Sequence, residues 1–230
     1  MGITVAGHLV KISQLSDATG IPLATIKMYL REGLLPQGEK SSPNQADYGD
    51  EHLRRLKLVH GLLRVGGLSV AAAREVVAAV ESDRFLVDIF GVAQRAASSS
   101  VDADNVTPEA IAVVQTITAG WHTDPRGPGQ MLAAASIAAF EASGQRNAVR
   151  WYERYAEAAR LIAEADLDLL DTRQTRAEKA ETVVLGTVLG DTLLAGLRRS
   201  AQEDLSSSRY ISPSGEDRPS PDPSAKETHS

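Results

Sequence analysis

The first third of the chain contains two short helix-forming segments separated by a three-residue turn. Ser13 is a favourable N-cap residue for the first segment, and Gly20 is suited to the position just after its last turn. Pro22 fits the start of the second segment, because its fixed φ and missing N–H do no harm there. That segment spans residues 23–32 and ends at Gly33. The spacing predicts a helix-turn-helix.

The residues after this motif predict a wing and two further helices. Residues 36–49 are rich in Pro, Gly, Ser and Asn, which indicates a hairpin, and Tyr48 is its expected anchor. Apolar residues at helical spacing predict a third helix over residues 50–65. Ser69 then caps a fourth helix that reaches residue 80.

Beyond residue 80 the hydrophobic spacing is helical throughout. We therefore predict an all-α protein, with an N-terminal winged helix-turn-helix that has a small β wing, and a C-terminal multi-helix regulatory or dimerisation domain. The predicted parts are the winged domain (11–80), a connecting helix and linker (81–106), the helical effector or dimerisation domain (107–205) and a disordered Ser- and Pro-rich tail (206–230). Residues 130–143 are apolar enough to predict a fully buried helix.

Charge and composition exclude several classes of function. Residues 1–80 carry nine Lys and Arg and seven Asp and Glu, whereas residues 81–230 carry fifteen and twenty-three, so only the first part suits phosphate. The absence of Cys excludes disulfides and thiolate metal sites, and the five His have no metal-site spacing. We find no secretory signal and no stretch of about 18 apolar residues. We therefore expect a cytoplasmic protein with no membrane contact, metal or cofactor.

Residues 11–80 contain two stretches that carry a family resemblance, KISQLSDATGIPLATIKMYLREGLLP and NQADYGDEHLRRLKLVHGLLRVGGLSVAAAREVV. In this order and at this distance they resemble the DNA-binding domain of the MerR family of transcriptional regulators. The resemblance implies a recognition helix in the major groove, phosphate contacts that position the protein and a dimer on DNA. The helical region that follows is similar in general character to the ligand-binding domain of TetR-type regulators.

The resemblance and the basic residues together give a set of candidate DNA contacts. The set is Ser13, Leu23, Thr25, Lys27, Met28, Tyr29, Arg31, Lys40, Tyr48 and Arg54. Arg54 and Arg55 are expected on the solvent face of the third helix, as a solvated surface or as phosphate contacts. The wing departs from the family pattern, because Ala46 and Asp47 stand where an arginine is usual. Asp47 would repel phosphate if it faced DNA, and Lys40 is a candidate to compensate.

Most aromatic residues after residue 106 are candidates for a ligand pocket, since such pockets are largely apolar with a few polar groups. Ordinary core packing is the alternative interpretation. The predicted ligand contacts are Trp121, Phe140, Trp151, Tyr152 and Tyr155.

The last predicted helix contains the sequence VVLGTVLGDTLLAGL, in which Gly186 and Gly190 are four residues apart. Small residues at this spacing permit close approach of a second helix. Internal packing and a dimer interface are both open at this point.

These features favour a homodimeric, sequence-specific DNA-binding transcriptional regulator. Its expected partners are double-stranded DNA with an inverted-repeat operator and a second copy of the chain, with RNA polymerase and a small apolar effector as further candidates. The alternative is a DNA-associated protein-interaction or dimerisation module without a small-molecule effector. An enzyme is not expected, because the sequence contains no nucleophile elbow, phosphate-binding glycine loop or zinc motif.

Overall fold

The computed structural model of the chain describes residues 9–42, 45–98 and 106–210. Within these residues it contains nine helices and one small sheet, which confirms the predicted fold class. The strands are β1 (Val10–Lys11), β2 (Glu39–Ser42) and β3 (Gln45–Tyr48). The helices are α1 (Ile12–Thr19), α2 (Leu23–Arg31), α3 (Asp50–Arg64), α4 (Val70–Glu81), α5 (Leu86–Ala97), α6 (Pro108–Ile117), α7 (Pro128–Ala142), α8 (Val149–Asp171) and α9 (Arg176–Tyr210).

The turn between α1 and α2 forms where its glycine predicts. Gly20 has a φ of 68°, in the left-handed region that suits glycine, and its N–H donates to Ser16 O at 2.8 Å. The Ser16 hydroxyl donates to Ile21 O at 2.7 Å. These two bonds fix the turn from both sides, so α2 leaves α1 in a defined direction.

The start of α1 differs from the prediction, because Ser13 is not its N-cap. The N-cap position is Lys11, whose backbone N–H donates to the Gln14 side-chain oxygen at 2.9 Å. The helix therefore begins two residues earlier than a Ser13 cap would allow. Ser13 lies exposed in its first turn.

The strands form an antiparallel sheet in the order β1-β3-β2. In this register Lys11 pairs with Asp47, and Lys40 pairs with Ala46. The β2–β3 hairpin is the wing that its turn-forming residues predict. β1 was not expected, because two residues are too few to show strand periodicity.

Two separate hydrophobic cores stabilise the unit Met1–Asp191, which is the larger of two compact units; the described part of the smaller unit, Thr192–Ser230, belongs to α9. The first core contains α1 to α5 and also takes in Leu170 and part of α9. The second core contains α6, α7 and Tyr152 at the start of α8. Consequently α8 links the two cores.

The helix α7 is much less buried than its composition predicts. Only Ala134 and Ile137 are buried in it. The expectation of full burial was wrong because the second core is small and covers only part of the helix surface. An apolar sequence makes burial favourable, but neighbouring elements must be available to provide it.

The helix α9 changes two expectations about the end of the chain. It continues to Tyr210, past the predicted start of the tail at residue 206, while residues 211–230 lie outside the described part. Among the described residues it is also the one helix long and apolar enough, by length and composition, to cross a membrane. The sequence predicted no segment long and apolar enough to span a membrane, and α9 corrects that expectation. Val183, Val184 and Val188 of this helix nevertheless pack into the first core, as in a helix of a folded domain.

Gly66, between α3 and α4, allows α9 to approach closely. A Cβ at Gly66 would overlap Val188 Cγ1 and would lie 2.9 Å from Leu62 O. A Cβ at Gly61 would lie 3.8 Å from Leu189 Cδ1 and 4.0 Å from Leu185 Cδ2 of α9, which are ordinary van der Waals distances. The α3–α4 region is therefore shaped to receive α9.

We predict that Gly66→Ala lowers the free energy of unfolding by roughly 1–3 kcal/mol, because the added methyl group overpacks the contact with Val188. Thermal or urea unfolding measures the change. Gly129→Ala, in α7, is the matched control, since a Cβ there meets no atom within 4 Å. The control is expected to raise stability by up to about 1 kcal/mol through helix propensity. Equal effects of the two substitutions would contradict the proposed fit.

Candidate nucleic-acid interface

The helix α2 buries one face and exposes the other. Ile26 and Tyr29 are buried in the first core. Lys27 and Arg31 are exposed, and Leu23 is 37% exposed. We call these three residues the recognition face. Thr25 and Met28 are half-buried at its edge.

The recognition face carries two cations that remain accessible. Lys27 is exposed, and within the described residues Arg31 makes only a long contact with the adjacent Glu32, with Nε and Oε1 3.4 Å apart. Exposed ion pairs of this kind contribute little free energy. Both side chains are therefore accessible to a DNA phosphate, which Lys and Arg commonly bind.

Tyr29 does not lie on this face. Its side chain is 1% exposed, and its hydroxyl lies 3.2 Å from Nδ1 of His60 on α3. Burial raises the pKa of Tyr29, and the nearby charge of Arg64 opposes that rise. Because almost none of the Tyr29 side chain is exposed, a phosphate cannot reach it, and this corrects the prediction that Tyr29 contacts DNA. Tyr29 instead anchors α2 against α3.

Two arginines, Arg55 and Arg74, fix the segment after α2, a role that the sequence did not indicate for either of them. Arg55 Nε donates to Leu34 O at 2.8 Å, and its guanidinium pairs with Glu81. Arg74 on α4 donates to Glu32 O through both Nε and Nη2. With its side chain 11% exposed, Arg55 is not on the solvent face where it was expected. Helical spacing alone gave no signal for this role, because its partners are distant in sequence.

Tyr48 closes the wing from inside the core. It is 5% exposed, and its ring packs edge-on against His52 with centroids 5.2 Å apart. Burial raises the pKa of its hydroxyl. A Cβ at Gly38 would approach the Tyr48 ring to 3.0 Å, so the hairpin lies directly on it. The predicted DNA contact by Tyr48 is corrected to a supporting role, because the side chain is covered.

The acidic residue of the wing has a cationic partner. Lys11 on β1 forms an ion pair with Asp47 on β3, and the two residues are opposite each other in the sheet. Lys40 is exposed on β2. The wing therefore presents an accessible lysine while the charge of Asp47 is offset locally, which the sequence pattern did not reveal.

Arg54 lies on α3 with its side chain 57% exposed, and its Nε is 3.0 Å from Glu181 Oε1 of α9. Burial raises the pKa of Glu181, while the charges of Arg54 and Arg55 act to lower it. The arginine that was predicted to contact phosphate is thus accessible, but it is already paired with a carboxylate of the same chain.

The predicted ligand contacts gather at the second core, with one exception. Phe140, Trp151, Tyr152 and Tyr155 form a continuous series of ring contacts, with centroids between 4.7 and 6.3 Å apart. Trp121 is half-buried and has no such ring contact among the described residues. Trp151 and Tyr155 are 44% and 43% exposed, so the cluster reaches the surface.

Tyr152 is the polar member at the base of this aromatic cluster. It is 4% exposed, and within the described structure its hydroxyl has no hydrogen-bond partner. Burial and the charge of Glu141 both raise its pKa, so the group stays a neutral donor. In the described ranges no group of three or more His, Cys, Asp or Glu side chains is arranged to hold a metal ion.

Comparison with known proteins identifies the N-terminal part. Residues 10–80 match the family described as MerR HTH family regulatory protein. A 49-residue stretch is 39% identical to the HTH-type transcriptional regulator ZntR homolog of Haemophilus influenzae. That match covers 21% of this chain and 36% of the relative, so the chain spans about a third of the curated relative's length.

A solved structure extends the similarity beyond the winged domain. The crystal structure of a candidate transcriptional regulator from Streptomyces coelicolor A3(2) is 34% identical, with a TM-score of 0.64. The similarity covers 87% of this chain and 98% of that one. The helix-turn-helix, the wing and the helices that follow are therefore shared features, and this chain belongs to the MerR family of DNA-binding transcriptional regulators.

Proposed function

We propose that this chain is a homodimeric, sequence-specific regulator that inserts the recognition face of α2 into the major groove of each half of an inverted-repeat operator. The observation that carries the proposal is the separation of roles on α2. Tyr29 and Ile26 are buried and fix the helix, while Lys27 and Arg31 stay accessible. A rigid helix with exposed cations suits both base and phosphate contacts.

The dimer is supported by exposed apolar surface on α9. Leu193, Leu194, Leu197 and Leu205 are 41% to 64% exposed. A helical segment with such leucines is marginal in water unless another surface covers it. A Cβ at Gly186 or Gly190 meets no atom within 4 Å, which disfavours internal packing as the reason for that spacing. We propose that a second copy of the chain covers these leucines.

The remaining proposals concern RNA polymerase, the location of the protein and a small-molecule effector. RNA polymerase and a cytoplasmic location follow from the family, whose members regulate transcription. The aromatic cluster with the unpartnered Tyr152 hydroxyl supports a small, largely apolar effector that carries a hydrogen-bond acceptor. The similar proteins are described as transcriptional regulators, so no enzymatic activity is proposed.

Selection of bound duplexes from a random pool by the full-length protein tests the proposed function. We expect enrichment of an inverted repeat, because a two-fold dimer presents two equivalent recognition helices. Enrichment of a single half-site would contradict the dimer. Binding that is only salt-sensitive and sequence-blind, or no binding, would favour the protein-interaction alternative.

We expect Lys27→Ala to weaken binding to every sequence and to reduce the slope of log K against log salt by about 0.9, as loss of one phosphate contact should. Binding titrations over a range of salt concentrations measure both effects. Arg126→Ala, in the exposed α6–α7 connection, removes the same charge outside the helix-turn-helix and should leave the slope unchanged. Equal slopes for wild type and Lys27→Ala would remove Lys27 from the interface.

A thermal-shift screen with small apolar compounds distinguishes an effector-binding protein from the alternative module. A true ligand at 100 times its Kd should stabilise the native state by about 2.7 kcal/mol. Trp151→Ala should abolish the shift, whereas Trp121→Ala, whose ring is outside the aromatic cluster, should preserve it. A shift that survives Trp151→Ala would place the ligand elsewhere.

A further inference from the structure

The ion pair between Arg54 and Glu181 joins α3 to α9, two helices far apart in sequence. Arg54 Nε and Glu181 Oε1 are 3.0 Å apart. The side chain of Arg54 is 57% exposed, whereas that of Glu181 is 22% exposed. The arginine is thus open to solvent, and the carboxylate that contacts it is largely covered by protein.

Packing of α9 holds this carboxylate in place. Ala180, Val183 and Val184 flank Glu181 in sequence and are buried in the first core. About two turns further along the helix, Val188 packs against Gly66. Glu181 is therefore fixed by the backbone of a docked helix, and it can leave Arg54 only if its side chain reorients or α9 moves.

We propose that Glu181 competes with DNA phosphate for Arg54 and thereby limits the affinity of this protein for DNA. A carboxylate and a phosphate oxygen bind a guanidinium through the same charge-assisted N–H donors. While Glu181 is paired with the Arg54 guanidinium, its negative charge opposes the approach of a phosphate to Arg54. The proposal rests on the proposed DNA-binding function and adds a positioning residue that sequence similarity to a winged domain at residues 10–80 does not include.

Because α8 and α9 connect the second core to the first, a change in the second core can alter the ion pair between Arg54 and Glu181. Tyr152, at one end of α8, lies in the second core, and Leu170, at the other end, lies in the first core, which also contains part of α9. Arg176 at the start of α9 donates to Ser82 O, just after α4. A ligand or partner that displaces α9 relative to α3 would separate Glu181 from Arg54, so Arg54 would become available to phosphate.

The test is a double-mutant cycle on DNA affinity with the full-length protein and a duplex selected by it. Glu181→Gln should bind about 3–10-fold more tightly than wild type, with a salt slope steeper by about 0.9 as one more phosphate contact forms. In an Arg54→Ala background, Glu181→Gln should change the DNA affinity no more than the loss of one negative charge does elsewhere on the protein. Such coupling is what a cycle isolates.

Glu164→Gln is the matched control, because Glu164 pairs with Arg160 on the exposed part of α8 and the substitution removes the same charge. Equal gains from Glu181→Gln and Glu164→Gln would reduce the effect to net charge and overturn the proposal. A gain that persists without Arg54 would overturn it as well. If thermal unfolding shows that Glu181→Gln loosens the fold, Glu181→Asp takes its place, and unchanged affinity of that folded variant would count against the proposal. Wild-type protein that binds no DNA would instead refute the proposed function itself.

Discussion

The packing of α9 against α3 and the α3–α4 connection is the contact on which the arrangement of the larger unit depends. Val188 fills the space that the absent side chain of Gly66 leaves, and Leu185 and Leu189 face Gly61. This contact places residues from the C-terminal part inside the first core. The winged domain is thus completed by a helix that follows it by almost a hundred residues, and its stability is coupled to the rest of the chain.

The electrostatics of the interface are set by pairs between distant elements. Asp47 on the wing is offset by Lys11, and Arg54 is offset by Glu181. Arg55 is used to tie α3 to the end of α2 and to Glu81. What remains accessible for phosphate is consequently a smaller set of cations than the sequence lists. Because each such pair is partly exposed, its energy is modest, and its main effect is on which cation can reach DNA.

The second core has a different character from the first. Its buried residues are few, and its largest is Tyr152, whose hydroxyl lacks a partner within the described structure. A buried donor without an acceptor costs free energy that a suitable acceptor would recover. The small core, the surface-reaching rings of Trp151 and Tyr155, and the link through α8 make this the part of the chain best suited to respond to a ligand.

The sequence by itself determined the local elements. Gly20 follows the last residue of α1, and Pro22 lies immediately before α2. Ser69 and Thr107 each accept a hydrogen bond from a backbone N–H of the helix that follows, at 3.1 and 3.2 Å. The family resemblance added the recognition helix. Local signals suffice here because each depends on residues three or four positions apart.

Only the tertiary structure decided which side chains are available to act. Tyr29 and Tyr48 were predicted DNA contacts but are covered, and the accessibility of Arg54 depends on Glu181. Periodicity shows which face of a helix is apolar, yet it does not show which distant element covers that face. Burial and ion pairing are set by neighbours in space, and the docking of α9 brings those neighbours from the other end of the chain.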